Sequence, residues 1–137
     1  MTSRLNPYIA FDNKARTVME FYKTVFGGKL ELSTFKEANP GYQEGDEDKI
    51  MHAVLVTESG MTIMASDMPK GKVVPNTANI ALALGGDDEA ELTGYWEKLS
   101  ANAKILQHLN KAPWGDTFGM LVDQFGVEWM INIAGKK

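Results

Sequence analysis

Residues 21–30 (FYKTVFGGKL) and 95–105 (YWEKLSANAKI) decide how this sequence folds. Each presents an aromatic pair, a branched apolar residue three positions after the second aromatic, small or helix-ending residues, then Lys and an aliphatic. Around the first stretch, Ala15, Val18, Met19, Tyr22, Val25 and Phe26 fall at steps of three and four, the stripe of an amphipathic helix. Asp12 or Asn13 is placed to cap its start, and Gly27-Gly28 supplies the left-handed exit. A second helix is predicted over 89–101, with Leu92, Trp96 and Leu99 as its stripe. Asp88 followed by Glu91 gives it a capping-box spacing, and Gly94 weakens it a little.

The remainder reads as strands, at 8–11, 29–35, 50–56 and 62–66, then at 77–84, 104–108, 117–122 and 127–133. Glu58-Ser59-Gly60 and Asp123-Gln124-Phe125-Gly126 are hairpin turns, 37–49 (EANPGYQEGDEDK) is a long exposed loop, and 68–75 (MPKGKVVP) is a linker. The order is strand, helix, three strands, repeated once. The expectation is an α+β chain, a single domain of two βαβββ modules, module one at 1–67 and module two at 76–134. Internal duplication explains both the order and the echo.

Alternation along each strand sorts its side chains into two faces. Ile80, Leu82 and Leu84 share one face, opposite Asn79, Ala81 and Ala83; Val127, Trp129, Ile131 and Ile133 share another, opposite Glu128, Met130 and Asn132. The apolar faces call for cover by the two helices. The small, Asn- and Met-bearing faces suit the wall of a cavity.

Composition narrows the function. Across 137 residues there is no Cys, which removes disulfides, thiolate metal sites and cysteine nucleophiles together. Fourteen Lys and Arg against 18 Asp and Glu give a net charge of −4, which argues against nucleic acid or an anionic membrane as partner. No apolar run approaches the roughly twenty residues of a membrane span, and the start, MTSRLNPYIAF, lacks a signal-peptide core, so a cytoplasmic location is expected. Neither Gly27-Gly28 nor Gly85-Gly86, read as turn residues, opens a Gly-x-Gly-x-x-Gly or phosphate-binding loop, so no nucleotide cofactor is expected.

Glu20-Phe21-Tyr22 leading to Phe26-Gly27-Gly28, the doubled βαβββ order and the terminal Asp123-x-Phe125-Gly126-x-x-Trp129 resemble the vicinal oxygen chelate superfamily of glyoxalase I, bleomycin-resistance proteins, fosfomycin-resistance enzymes and extradiol dioxygenases. Pro7-Tyr8-Ile9-Ala10-Phe11, Ala65-Ser66-Asp67-Met68 and the run from Asp123 to Asn132 are similar to its PhnB-like branch, over residues 5–134. The resemblance implies a cup-shaped mixed sheet with helices outside, a small-molecule cavity and a homodimer. In metal-dependent relatives four inward strand positions give His or Glu to one divalent ion; the motifs place these at or beside Pro7, Met64, Asn79 and Met130. Asn79-Ile80-Ala81-Leu82 stands where glyoxalase-type sequences read His-Ile-Ala-Leu. A hard divalent ion needs several imidazole or carboxylate ligands, whereas Pro offers no side-chain donor, Met a soft thioether and Asn a neutral carbonyl.

The resulting expectation is a small-molecule-binding protein without the usual metal, with no cofactor, using Met64, Asn79, Trp114, Met120, Met130 and Asn132. Trp114 beside Gly115 offers a broad apolar face and an N–H donor for a ligand. The alternative is a lyase, transferase or dioxygenase-type enzyme with a shifted metal or an acid–base site at His52, Glu128 and Asp116. His52 has the titration range of a general base, against the plainer reading of a hydrogen-bonded histidine packed in an apolar strand. His108 reads as solvent-facing, Trp129 as core, and Asp67 as a residue shaping the linker turn rather than a cavity rim.

Overall fold

The computed structural model describes residues 3–74 and 79–135. The chain divides into two compact units, Met1–Asn76 and Thr77–Lys137.

The first unit runs β1 (Tyr8–Phe11), α1 (Ala15–Phe26), β2 (Lys29–Thr34), α2 (Phe35–Ala38), β3 (Ile50–Val56) and β4 (Thr62–Asp67). Its sheet has the order β1-β4-β3-β2, with β1 parallel to β4 and the other pairs antiparallel. All six predicted stripe residues of α1 are buried. They cover the sheet face that carries Phe11, Ala53, Leu55, Ile63 and Ala65.

Neither Asp12 nor Asn13 caps α1; the N-cap is Lys14, which makes no side-chain cap bond. The acceptor comes from across the unit. Asp67, buried at the end of β4, accepts the Ala15 N–H through Oδ1 at 2.8 Å and the Ile50 N–H through Oδ2 at 2.9 Å. It therefore fastens the starts of α1 and β3 rather than the linker turn. At the other end of α1, Gly27 and Gly28 take φ of 68° and 98°. A Cβ on Gly28 would collide with the Val56 carbonyl oxygen, so glycine is required twice over, by conformation and by space.

Two expectations in this unit need correction. Phe35 ends no strand but opens α2, because Thr34 and Glu37 form a reciprocal capping box. The loop after it is not wholly exposed: Asp46 is buried, and its Oδ2 accepts the Lys70 N–H at 2.9 Å. Its Oδ1 receives no well-directed hydrogen bond but lies 3.0 Å from Lys49 Nζ.

The second unit runs β5 (Leu82–Gly86), α3 (Glu89–Leu99), β6 (Lys104–Lys111), β7 (Thr117–Val122) and β8 (Glu128–Ile133). Its order, β5-β8-β7-β6, repeats that of the first unit, again with the first strand parallel to the last. Asp88 caps α3 by accepting the Glu91 N–H at 3.0 Å. Leu92, Tyr95 and Leu99 are its buried residues; Trp96 is half-buried and lies against Gly119.

The strand predicted over 77–84 begins later. Residues 77 and 78 lie outside the described residues, Asn79 sits in a turn, and Ile80 is 58% exposed. The parallel register starts at Leu82 opposite Trp129, so residues 79 and 80 would face Gly126 and Val127, at the end of the turn, where no ladder is offered. Gly85 and Gly86 are correspondingly strand residues, paired with Asn132 and Ile133, not a turn. β6 continues past His108 to Lys111 as an exposed edge strand interrupted by register shifts.

The terminal motif is a fastening device. Asp123 Oδ1 accepts the N–H groups of Phe125 and Val127 at 2.9 and 3.0 Å, and Oδ2 accepts the indole N–H of Trp129 at 2.9 Å. Gly126, at φ 88°, closes the turn, and Trp129 is buried as expected. Among the described residues no helix is long and apolar enough to cross a membrane.

Candidate functional site

In each unit the helix covers one sheet face and leaves the other to half-buried and exposed side chains. On the first sheet, cross-strand partners place Tyr8, Met64, Val54 and Glu31 in one row, with Ala10 beside Ser66 and His52 beside Ser33. His52 is exposed on this open face; the core side of β3 is that of Ala53 and Leu55. The packed half of the histidine reading is therefore corrected, while its hydrogen-bonded half holds: Ile50, Val54 and Val56 share the parity of His52, and of these only Ile50 is buried. The Tyr8 hydroxyl is 3.4 Å from His52 Nδ1, with the rings 5.8 Å apart.

On the second sheet, one row is Ala83, Met130, Met120 and Gln107, and the next is Gly85, Asn132, Phe118 and Asn110. The two sheets share a register, since Met64 partners Tyr8 and Val54 as Met130 partners Ala83 and Met120. The matching first-strand positions are thus Tyr8 and Ala83. In the first unit a phenol ring occupies that place and bonds to His52. In the second, Ala83 and Gly85 leave β5 almost bare, and a Cβ on Gly85 would meet only the Asn132 carbonyl oxygen, at 3.9 Å.

Beyond this bare strip stand the larger side chains. Met120, Met130, Phe118 and Asn132 are all half-buried. Trp114, on the β6–β7 turn and 62% exposed, meets Phe118 edge-on, with centroids 5.9 Å apart and planes at 63°. Asn132 donates from Nδ2 to Asp116 Oδ2 at 2.9 Å, which sets its amide with Oδ1 on the side away from that carboxylate. Asp116 Oδ1 accepts the Gly135 N–H at 2.8 Å. Phe118 was not among the residues read from the sequence; its parity with Met120 was the available signal.

The second unit thus brings Met120, Met130, Asn132 and Trp114 to one face. Asn79 is not on it as a strand residue, and Met64 belongs to the first unit's open face. Asp116 and Glu128 do not converge. Glu128 partners Val122 at one end of β8, four residues or about 13 Å along the strand from Asn132, which Asp116 holds. A shallow depression on the outward side of α3, lined by Glu89, Ala90, Thr93, Gly94 and Glu97, holds no side chain of this set.

The residues do not fit the divalent ion of the metal-dependent relatives. Pro7 is engaged through its carbonyl with the Met64 N–H, Met64 and Met130 offer only thioethers, and Asn79 is exposed in a turn. Among the described residues no three His, Cys, Asp or Glu side chains stand close enough to share a metal. A nucleotide cofactor fits no better at the glycine pairs, since Gly28 is packed against Val56 and Gly85-Gly86 are ladder residues of β5.

Comparison with known proteins agrees with this architecture. Protein YjdN of Escherichia coli K12 is 30% identical over 95% of each chain. The solved structure of a PhnB protein from Bacillus cereus shares 26% identity with a TM-score of 0.75, covering 96% of this chain and 100% of that one. A glyoxylase/bleomycin resistance protein/dioxygenase domain from Frankia shares the fold at 12% identity, with a TM-score of 0.68 over 100% and 94% of the two chains. The sequence pattern described as 3-demethylubiquinone-9 3-methyltransferase matches residues 3–132. With that match over nearly its whole length, the chain belongs to the 3-demethylubiquinone-9 3-methyltransferase family, on the α+β fold of the glyoxalase and bleomycin-resistance proteins.

Proposed function

We propose that the protein binds a small molecule on the open face of its second unit, without a divalent metal, and acts by holding that molecule rather than by turning it over. One observation carries this reading: Met130 and Asn132 on β8 border the bare strip of Ala83 and Gly85, Met120 and Phe118 stand next to them on β7 with Trp114 edge-on to Phe118, and Asn132 is held by Asp116. An apolar wall with one oriented polar group is the usual make-up of a ligand site. Finishing the burial of a side chain that is already half-buried contributes up to about half of the roughly 1.5–3 kcal/mol of full burial.

The groups needed for turnover are not gathered there. Asp116 spends both oxygens on Asn132 and Gly135, and Glu128 lies at the other end of the face. The residues at the corresponding positions fit neither a divalent metal nor a methyl donor.

The test is a thermal-shift screen of small molecules and metals on one sample whose metal content is measured. The reading expects no stoichiometric divalent metal, a melting temperature unmoved by chelators, and stabilisation by a ligand that Gly85→Val abolishes. A stoichiometric metal whose removal lowers the melting temperature and abolishes ligand binding contradicts it.

A further inference from the structure

Resting on that reading, we infer that Met120 and Met130 form a modification site: a hydroperoxide oxidises the two thioethers to sulfoxides and closes the ligand face, and their reduction reopens it.

The sheet sets the pair. Met120 on β7 and Met130 on β8 are direct cross-strand partners, and neighbouring strands lie about 4.8 Å apart, so the two side chains stand together on one face. The opposite face carries Leu121, Trp129 and Ile131, which are buried. Met120 and Met130 are only half-buried, open to a small solute, whereas Met19 on the inner stripe of α1 is wholly buried. The duplicated register makes the pairing particular to this unit. In the first unit Met64, the counterpart of Met130, has Tyr8 and Val54 as its cross-strand partners rather than a second thioether. Met130 has Ala83 as its other partner, so the oxidisable pair borders the bare strip on which the ligand is proposed to rest.

Sulfur oxidation in this chain falls to methionine, because there is no Cys, whose thiolate is the usual target of a peroxide. The thioether sulfur attacks one oxygen of hydrogen peroxide. An S–O bond forms, the O–O bond breaks, and the other oxygen leaves as water carrying both protons. Sulfur gives up two electrons and the peroxide takes them up. The product is a polar, chiral sulfoxide in place of a flexible apolar group, and methionine sulfoxide reductases return it to the thioether.

Position turns that change into a switch. A sulfoxide oxygen on Met130 arrives beside Ala83 and Gly85, where it takes up space left for a ligand and finds no side-chain donor on β5. On the other side of Met120 the cross-strand partner is Gln107, whose amide is a hydrogen-bond donor and favours the oxidised form of its neighbour. The row Ala83, Met130, Met120, Gln107 is thus apolar at its centre when reduced and polar when oxidised. An apolar ligand that covers an unpartnered sulfoxide loses about fivefold or more in affinity.

The experiment treats the full-length protein with hydrogen peroxide, maps sulfoxides by peptide mass spectrometry, and titrates Nile red, a neutral apolar dye, by fluorescence. Reduced, oxidised and reductase-treated samples are compared. The expected result is that Met120 and Met130 become sulfoxides while Met19 stays a thioether, and that dye affinity falls about fivefold or more and recovers on reduction. The readout is the ratio of affinities before and after peroxide. Met120→Leu/Met130→Leu, whose wall is apolar but resists peroxide, should bring that ratio to one. Met68→Leu, at a half-buried methionine away from this face, should leave the ratio as in the parent.

Met120 and Met130 remaining thioethers while Met51, Met61, Met64 and Met68 are oxidised overturns the modification site. So does dye that binds equally before and after oxidation of the pair, or a parent-like ratio in the double leucine variant. Loss of the folded amide spectrum on oxidation overturns the switch, since the change is then not local to the face. Dye that never binds the reduced protein, or that binds unaffected by Gly85→Val, counts instead against the binding reading and removes the inference with it.

Discussion

Replacing Asp67 by alanine should unfold the first unit far more readily than its size as a substitution implies. The carboxylate is buried and accepts two backbone N–H groups, from Ala15 and Ile50, at 2.8 and 2.9 Å. Alanine leaves both donors inside the protein without partners, and each orphan costs about 1–3 kcal/mol, so the loss is about 2–6 kcal/mol. Against a total stability of about 5–15 kcal/mol, that is a large share. With a urea dependence of about 2 kcal/mol per molar, the midpoint falls by about 1–3 M at unchanged slope. Asp67→Asn keeps one acceptor and should fall between. Urea unfolding measures the midpoint, and hydrogen exchange locates the damage, since the Ala15 and Ile50 amides should lose protection first. A midpoint within about 0.3 M of the parent, with both amides still protected, would refute the assignment of Asp67 as the clamp between α1 and β3.

Two glycines give opposite expectations. Gly119→Ala puts a Cβ 2.8 Å from the Trp96 ring and 3.0 Å from the Leu109 Cα, and the backbone contact cannot yield, so a loss of about 1–3 kcal/mol is expected in the same urea assay. Gly94→Ala, inside α3 with nothing within 4 Å, should gain about 0.5–1 kcal/mol. Trp129→Phe removes the indole donor to Asp123 and should cost about 1–3 kcal/mol, with the 123–127 turn losing amide protection. Acid should act through Asp46 and Glu37. The Lys70 N–H bond, then the Lys49 ammonium, hold the Asp46 carboxyl below its ordinary 3.8, against the opposing effect of burial. The Thr34 N–H and hydroxyl hold Glu37 below 4.5. A depressed carboxyl pKa means stability that is present above the ordinary value and disappears as pH falls through the lowered one. The melting temperature should therefore decline below pH 4, and Asp46→Asn should flatten part of that decline.

Periodicity made the elements legible and left their fastenings hidden. The six-residue stripe of α1 is local, so steps of three and four were enough to find it. The doubled order of strands and helices followed from the same local signals. Its cap was not visible, because Asp67 lies 52 residues from Ala15 and no nearby residue announces the bond. The start of β5 was misread because a parallel strand begins where its partner β8 becomes available, which Asn79-Ile80-Ala81-Leu82 does not reveal. α2 was readable after all: Thr34-Phe35-Lys36-Glu37 is a capping box, obscured by the polar run that follows. On β3, alternation places His52 with Ile50, Val54 and Val56, yet Ile50 is buried and His52 exposed. Which parity the helix covers was undecided, because both parities contain apolar residues. The Met120, Met130 and Asn132 face was legible from parity, whereas Asp116 as the group that orients Asn132 depends on a turn closing over 16 residues.

The most direct test uses the eight methionines as reporters, with their methyl groups ¹³C-labelled and the protein kept in excess chelator. The account predicts that a small molecule found in the thermal-shift screen shifts the methyls of Met120 and Met130 while buried Met19 stays in place, and that Gly85→Val suppresses the response. Shifts that arise only when a divalent metal is restored, or that bypass Met120 and Met130, would contradict it.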